Sequence, residues 1–117
     1  MAITEGKPAV RLTADEKQGI LQSVEGALNP LSIGWSVIAL FGSRTDLSGS
    51  GGDIDLYLKT ETIPNGVVHS LKRSLIFAIH DRLGEQKVDI ILDIAGQDSS
   101  AFQKHVAQHK VDLWIKS

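Results

Sequence analysis

The sequence predicts a single α+β (α/β-class) domain, in which helices cover one face of a small mixed β-sheet. Three short apolar segments, 35–41, 53–59 and 87–94, have the length and composition of strands. Two longer segments, 14–28 and 67–83, repeat apolar residues at helical spacing, and stretches containing glycine or proline separate them from the strands. With 117 residues, the chain is long enough for one domain with a modest core.

The first predicted helix begins after Thr13. Thr13 and Glu16 match the capping box, in which a Thr side chain and a Glu three residues later satisfy two free backbone N–H groups. Apolar residues then recur on one helical face at Ile20, Leu21, Val24, Ala27 and Leu28. We expect Asn29 and Pro30 to end this helix, because Asn tolerates the left-handed conformation and Pro cannot continue helical hydrogen bonding.

The predicted strands separate apolar from acidic side chains. Segment 35–41 is apolar almost throughout, which is typical of a strand covered on both faces. In the next two strands, alternate residues are apolar and are expected to face the helices: Ile54, Leu56, Val88 and Ile90. Asp53, Asp55 and Asp89 are then predicted to share the opposite face. Asp93 also lies on that face and is an alternative third carboxylate, although it stands further along its strand.

The second helix and the C-terminal elements complete the predicted order α-β-β-α-β-α. The second helix, 67–83, has a core stripe of Val68, Leu71, Leu75, Ala78 and Ile79 and a glycine stop at Gly84. A last short helix is expected from residue 99 or 100 to 109, with Phe102 and Val106 as its buried anchors. The apolar residues 111–115 are expected to dock as a short strand or an extended tail.

Composition and charge restrict the cellular location and the classes of partner that we expect for this protein. A net charge of −2 argues against electrostatic binding of nucleic acid. The absence of cysteine excludes disulfides and thiolate chemistry. We expect a soluble cytoplasmic protein, because no apolar segment approaches the roughly 18 residues of a membrane span. Residues 1–117 are assigned to one domain and 1–12 to a flexible leader or short edge segment, since Pro8 prevents a helix there.

A glycine–serine turn and a pair of acidic residues indicate the chemistry. Gly42 and Ser43 follow the first strand, and such a turn offers backbone N–H groups that suit a phosphate. Asp53 and Asp55 are two residues apart, so their carboxylates share one face of a strand, which costs energy unless a cation compensates. Arg44 suits a phosphate contact and solvation of the loop equally well. Together these residues favour metal-dependent phosphoryl or nucleotidyl transfer.

The same residues resemble the signature of a known family. Gly42-Ser43, a glycine-rich spacer and Asp53-Ile54-Asp55 are similar to the GS…DxD pattern of the minimal nucleotidyltransferase domain, in the DNA polymerase β-like superfamily. Lys87-Val88-Asp89-Ile90-Ile91 is similar to the later strand that carries a third Asp in this family. The resemblance covers residues 13–115 and implies the nucleotidyltransferase fold, which is like the palm of polymerase β.

The resemblance also implies a role for each matched residue. The phosphates of a nucleoside triphosphate would be bound by three residues: Gly42, Ser43 and Arg44. Asp53, Asp55 and Asp89 would bind two Mg²⁺ ions, and Asp89 would help to activate the attacking hydroxyl. The implied reaction transfers a nucleoside monophosphate to an acceptor hydroxyl and releases pyrophosphate. AMP, supplied by ATP, is the nucleotide expected first.

The implied partners follow from the same resemblance. Stand-alone minimal members often act as antitoxins that adenylylate a tyrosine of a small helical HEPN-type toxin, so such a partner is expected here. A nucleoside triphosphate is the expected small-molecule partner, and a second copy of the chain is a further option. Neither a membrane nor nucleic acid is expected as a partner.

The spacer between the two halves of the signature departs from the usual pattern. Thr45-Asp46-Leu47 stands where many members have a basic residue, and Gly52 stands where many have Ser immediately before the first Asp. This departure motivates an alternative function. The chain would then be a catalytically weak or inactive binding module that neutralises or regulates a partner protein by contact.

Overall fold

A computed structural model describes residues 3–6, 10–45, 53–84 and 86–116, apart from the side chain of Ser43. These residues form, in chain order, β1 (Ile3–Glu5), α1 (Ala14–Leu28), β2 (Trp35–Phe41), β3 (Ile54–Thr60), α2 (Val68–Leu83), β4 (Val88–Ile94), α3 (Ala101–His109) and β5 (Val111–Lys116). The strands pair in the order β1-β5-β2-β3-β4, with β3 and β4 parallel and the other neighbours antiparallel. The predicted mixed α+β architecture is confirmed.

The predicted order omitted β1 and treated β5 as a strand or a tail. β1 has three residues and all are exposed, so it carries no alternation that a sequence pattern could reveal. β1 is defined by its backbone pairing with β5, in which Glu5 lies opposite Trp114. β5 in turn lies between β1 and β2, which makes it an internal strand of the sheet.

The predicted start of α1 is confirmed, whereas the reason given for its end is wrong. The Thr13 side chain accepts a hydrogen bond from the Glu16 N–H at 3.0 Å, and the Glu16 carboxylate accepts one from the Thr13 N–H at 2.9 Å. Asn29 has a right-handed conformation with φ −58° and begins a 3₁₀ turn. The left-handed residue is Ser32, with φ 56°. Pro30 thus continues a tighter turn before the chain reverses.

α1 and α2 cover one face of the sheet, as predicted. The main core contains Ile20 and Leu28 from α1 and Leu71, Leu75 and Ile79 from α2. These pack against the alternate apolar residues of β3 and β4: Ile54, Leu56, Leu58, Val88, Ile90 and Leu92. The helix-facing side of these two strands is therefore apolar, and the acidic residues between them face the other side.

α3 lies on the opposite face, so the prediction that the helices cover one face is wrong for this helix. Val106 of α3 packs with Ala39 and Tyr57 in a second, smaller cluster. The chain must cross the sheet from β4 at one edge to β5 beside β2, and α1 and α2 already occupy the other face. Phe102, predicted as a buried anchor, is 61% exposed and forms an edge-on ring contact with Phe41, with ring centroids 6.3 Å apart.

No helix in the described parts of the chain has both the length and the apolar character needed to cross a bilayer.

Candidate functional site

Three adjacent strands bring the predicted site residues to one edge of the sheet. β2 runs antiparallel to β3 with Phe41 opposite Asp55, so Gly42 follows directly at the start of β3. β3 runs parallel to β4 with Asp55 opposite Asp89. The end of β2 and the beginnings of β3 and β4 therefore meet, and Asp53 stands immediately before β3.

Asp55 and Asp89 face each other across the parallel pair. Asp55 is half-buried, and this burial is the largest cause that raises the pKa of its carboxyl above the ordinary value of 3.8. The negative charges of Asp89 and Asp53 and a side-chain hydrogen bond with Asp89 raise the pKa further, whereas the charge of Lys87 lowers it. Asp55 consequently favours either a proton or a cation beside it.

Gly42 lies against the Asp55 carboxylate. Its φ of 78° is in the left-handed region, which glycine adopts without strain. A Cβ atom placed there would collide with Oδ2 of Asp55 and would stand 3.3 Å from its Cγ. The Thr45 hydroxyl donates to the Gly42 carbonyl at 2.6 Å, so the short turn Gly42–Thr45 is closed on itself. The backbone of Ser43 belongs to this turn, and its side chain lies outside the described residues.

Arg44 connects the turn to two other parts of the chain. Its guanidinium donates to the Arg11 carbonyl oxygen and to the Gln86 side-chain oxygen, each at 3.0 Å. The Arg11 N–H donates to the Arg44 carbonyl at 2.9 Å. Gln86 also donates to the Leu83 carbonyl at 3.2 Å. Arg44 thereby links the turn to the end of α2 and the start of β4, and nothing in the sequence identified Gln86 for this contact.

Lys87 is a charged residue of this edge that the sequence interpretation left without a role. Its Nζ lies 3.8 Å from Oδ2 of Asp53. A usable signal was present, because Lys87 stands two residues before Asp89 and side chains at that spacing share a face. The remaining spacer residues, 46–52, which include the atypical Asp46, Leu47 and Gly52, lie outside the described residues.

The donor set at this edge fits a divalent cation. Carboxylate oxygens are the ligands that Mg²⁺ prefers, together with water and phosphate oxygens. A cation beside Asp55 and Asp89 would relieve the repulsion that raises the pKa of Asp55. Among the described residues, no group of three or more Asp, Glu or His side chains is already gathered as a ligand set. Asp53 would have to leave Lys87 to join the other two carboxylates.

Asp93, the alternative third carboxylate, lies at the other end of the strands. It is opposite Lys59 and accepts a hydrogen bond from the Tyr57 hydroxyl. Tyr57 is 2% exposed, and Nζ of Lys110 lies 5.7 Å from the centre of its ring. Asp93 thus takes part in a polar contact beneath α3, away from the edge where Asp55 meets Asp89.

Tyr57 is expected to remain protonated in alkali for as long as the protein is folded. Burial, followed by the hydrogen bond and charge of Asp93, raises the pKa of Tyr57 above its ordinary value of 10.0. Because the folded state then holds this proton more tightly than the unfolded state, the favourable contribution to stability is complete below pH 10 and is lost as pH rises further. The chain has a single tyrosine, so tyrosinate absorbance reports this residue directly. Tyrosinate formation near pH 10 before any loss of circular dichroism would contradict a raised pKa for Tyr57 in the folded protein.

Comparison with models of known protein families finds no match, and no curated protein matches the sequence.

Proposed function

We propose that this protein is a Mg²⁺-dependent nucleotidyltransferase that transfers AMP from ATP to an acceptor hydroxyl and releases pyrophosphate. The observation that carries the proposal is the direct pairing of Asp55 with Asp89, with the Gly42 backbone against the Asp55 carboxylate. A carboxylate pair in which the pKa of Asp55 is raised, next to the side-chain-free Gly42, offers adjacent places for a metal and a phosphate.

Asp53, Asp55 and Asp89 would hold the metal. When bound, Mg²⁺ supplies positive charge to the attacking and leaving oxygens of an in-line displacement. Asp89 is exposed at the sheet edge, and one of its carboxylate oxygens would take the proton of the acceptor hydroxyl. The acceptor oxygen then forms a bond to the α-phosphorus, the bond from that phosphorus to the bridging oxygen breaks, and the electron pair leaves with pyrophosphate.

The turn Gly42–Thr45 would bind the β- and γ-phosphates. The absence of a Cβ at Gly42 lets a phosphate approach the Asp55 carboxylate that would share its metal. Arg44 contributes positive charge to this turn while its guanidinium bonds to Gln86. These contacts support a substrate position between the end of β2 and the start of β4.

The acceptor that we propose is a tyrosine hydroxyl of a helical HEPN-type partner, which the protein would inactivate as an antitoxin. The support for this acceptor is the resemblance of Gly42-Ser43 and Asp53-Ile54-Asp55 to the minimal nucleotidyltransferase signature.

Incubation with the product of the neighbouring gene and with ATP labelled on either the α- or the γ-phosphate tests the reaction. The partner is expected to acquire the α label in Mg²⁺ and to lose that labelling in chelator. Asp53→Asn is expected to lower the rate at least about a hundredfold, because even residues that only support metal ligands contribute about 10–100-fold.

Asp98→Asn is the matched control, since Asp98 is an exposed carboxylate that follows β4 at the end of the strand remote from Asp89. Transfer of the γ label, or unchanged α labelling in Asp53→Asn, would contradict the proposed reaction. Neutralisation of the partner that survives Asp53→Asn without any labelling would favour the contact-only binding module instead.

A further inference from the structure

Lys87 is held at the carboxylate edge by the backbone. The Ile54 N–H donates to the Lys87 carbonyl at 2.9 Å, which places Lys87 directly beside the start of β3. Side chains two residues apart share a face, so Lys87 projects on the same side as Asp89. The parallel register of β3 and β4 then places it across from Asp53. The Lys87 ammonium thus lies at the same edge as the three carboxylates of Asp53, Asp55 and Asp89.

The contact between Lys87 and Asp53 is loose and accessible to solvent. Their charged atoms are 3.8 Å apart, and the two side chains are 70% and 48% exposed. The pair formed by Lys17 and Glu5 differs, because its atoms are 2.5 Å apart and the Lys17 side chain is 8% exposed. Exposed pairs contribute little to stability. The Lys87 ammonium can therefore be displaced without disturbing the fold.

The charge of Lys87 reaches beyond its nearest partner. It opposes the effects of Asp89 and Asp53 on the half-buried carboxyl of Asp55. The Lys87 ammonium thus acts on the carboxylates of both Asp53 and Asp55. A divalent cation at the same face would be repelled by this ammonium and would also compete with it for Asp53.

We propose that Lys87 is the resident counter-ion of the face formed by Asp53, Asp55 and Asp89, and that it competes there with a divalent cation. The inference deepens the proposed function and rests on it, because the competing ion is the one that the transfer reaction requires. Lys87 would raise the metal concentration at which the site fills, so the protein would load metal only where the concentration is high enough to displace the ammonium.

Calorimetric titration of the full chain with Mn²⁺ measures metal affinity directly, so it tests this competition without any need for turnover. Lys87→Met is expected to bind Mn²⁺ roughly three- to tenfold more tightly than the wild type, which is the size of effect for a charge a few ångströms from a divalent ion in salt solution. Lys87→Arg keeps the charge and is expected to stay within about twofold of the wild type.

Lys72→Met is the matched control. Lys72 lies on α2, and its replacement by Met changes the net charge by the same amount as Lys87→Met. Its Mn²⁺ affinity is expected to stay within about twofold of the wild type, since Lys72 lies near the start of α2, whereas the end of α2 leads to this edge, and salt screens a distant charge. Equal tightening in Lys72→Met and Lys87→Met would overturn a local role for Lys87.

The two proposals fail in different ways. In the first case the wild type binds Mn²⁺, Asp53→Asn removes that binding, and Lys87→Met does not tighten it. Lys87 is then not a competitor, and the metal site stands. If the wild type binds no Mn²⁺, or if Asp53→Asn leaves the binding unchanged, the metal site itself is wrong and the competition fails with it.

Discussion

Asp55→Asn is expected to abolish nucleotidyl transfer and, at neutral pH, to make the protein more stable. The carboxylate at this position is half-buried opposite Asp89, and like charges directly opposite each other across two strands are destabilising. An amide keeps the shape and removes the charge. The gain in the free energy of unfolding should be roughly 0.2–1 kcal/mol, the range for cross-strand pairs. Urea denaturation without metal measures it, and α-labelled ATP measures transfer.

The stability gain should depend on pH in a defined direction. The folded-state pKa of Asp55 is raised above its ordinary 3.8, so the folded protein holds this proton more tightly than the unfolded chain. The associated stability is present below pH 3.8 and is lost as pH rises through the folded-state pKa. Asp55→Asn has no carboxyl to ionise at this position and does not lose that stability. The difference in the free energy of unfolding between Asp55→Asn and the wild type should therefore grow as pH rises from 3.8 to the folded-state pKa of Asp55.

Asp53→Asn is the matched comparison for stability. Asp53 already has a positive partner in Lys87 at 3.8 Å, so loss of its charge relieves little repulsion. We expect both variants to lose transfer and only Asp55→Asn to gain stability. A wild type that is more stable than Asp55→Asn at neutral pH, with metal absent, would contradict the like-charge account of the site.

Gly42→Ala is expected to remove transfer while the protein still folds. An alanine in this left-handed conformation costs about 1–2 kcal/mol of stability. Its Cβ would also collide with Oδ2 of Asp55, and a carboxylate at the end of a side chain can rotate away. The fold would then survive, but Asp55 would lose its place opposite Asp89. Urea denaturation, transfer of the α label and Mn²⁺ titration measure the three effects.

Gly96→Ala separates backbone strain from displacement of the carboxylate. Gly96 has a similar φ of 85°, and its added Cβ would meet no atom of the described residues within 4 Å. It follows β4 at the end of the strand remote from Asp89. Both variants should lose similar stability, and only Gly42→Ala should lose Mn²⁺ binding and transfer. Full transfer by Gly42→Ala would show that Asp55 need not remain where it is.

Much of the site could be predicted because its residues are local in sequence. A spacing of two residues puts Asp53 and Asp55 on one face of a strand whatever the rest of the chain does. The position of Asp89 opposite Asp55 required the parallel register of β3 and β4, which no spacing within one strand reveals. The same holds for Arg44, whose partner Gln86 is 42 positions away in the chain.

By itself, the sequence determined the helices, the three main strands and the apolar face that α1 and α2 cover. These features follow from capping residues, hydrophobic periodicity and turn residues, which act over a few positions. Only the tertiary structure decided that α3 crosses the opposite face, that β5 lies within the sheet and that Lys87 stands among the carboxylates. Those outcomes depend on which face is already occupied and which strands are neighbours. Both depend on the assembled sheet, because strand pairing joins residues that are distant along the chain.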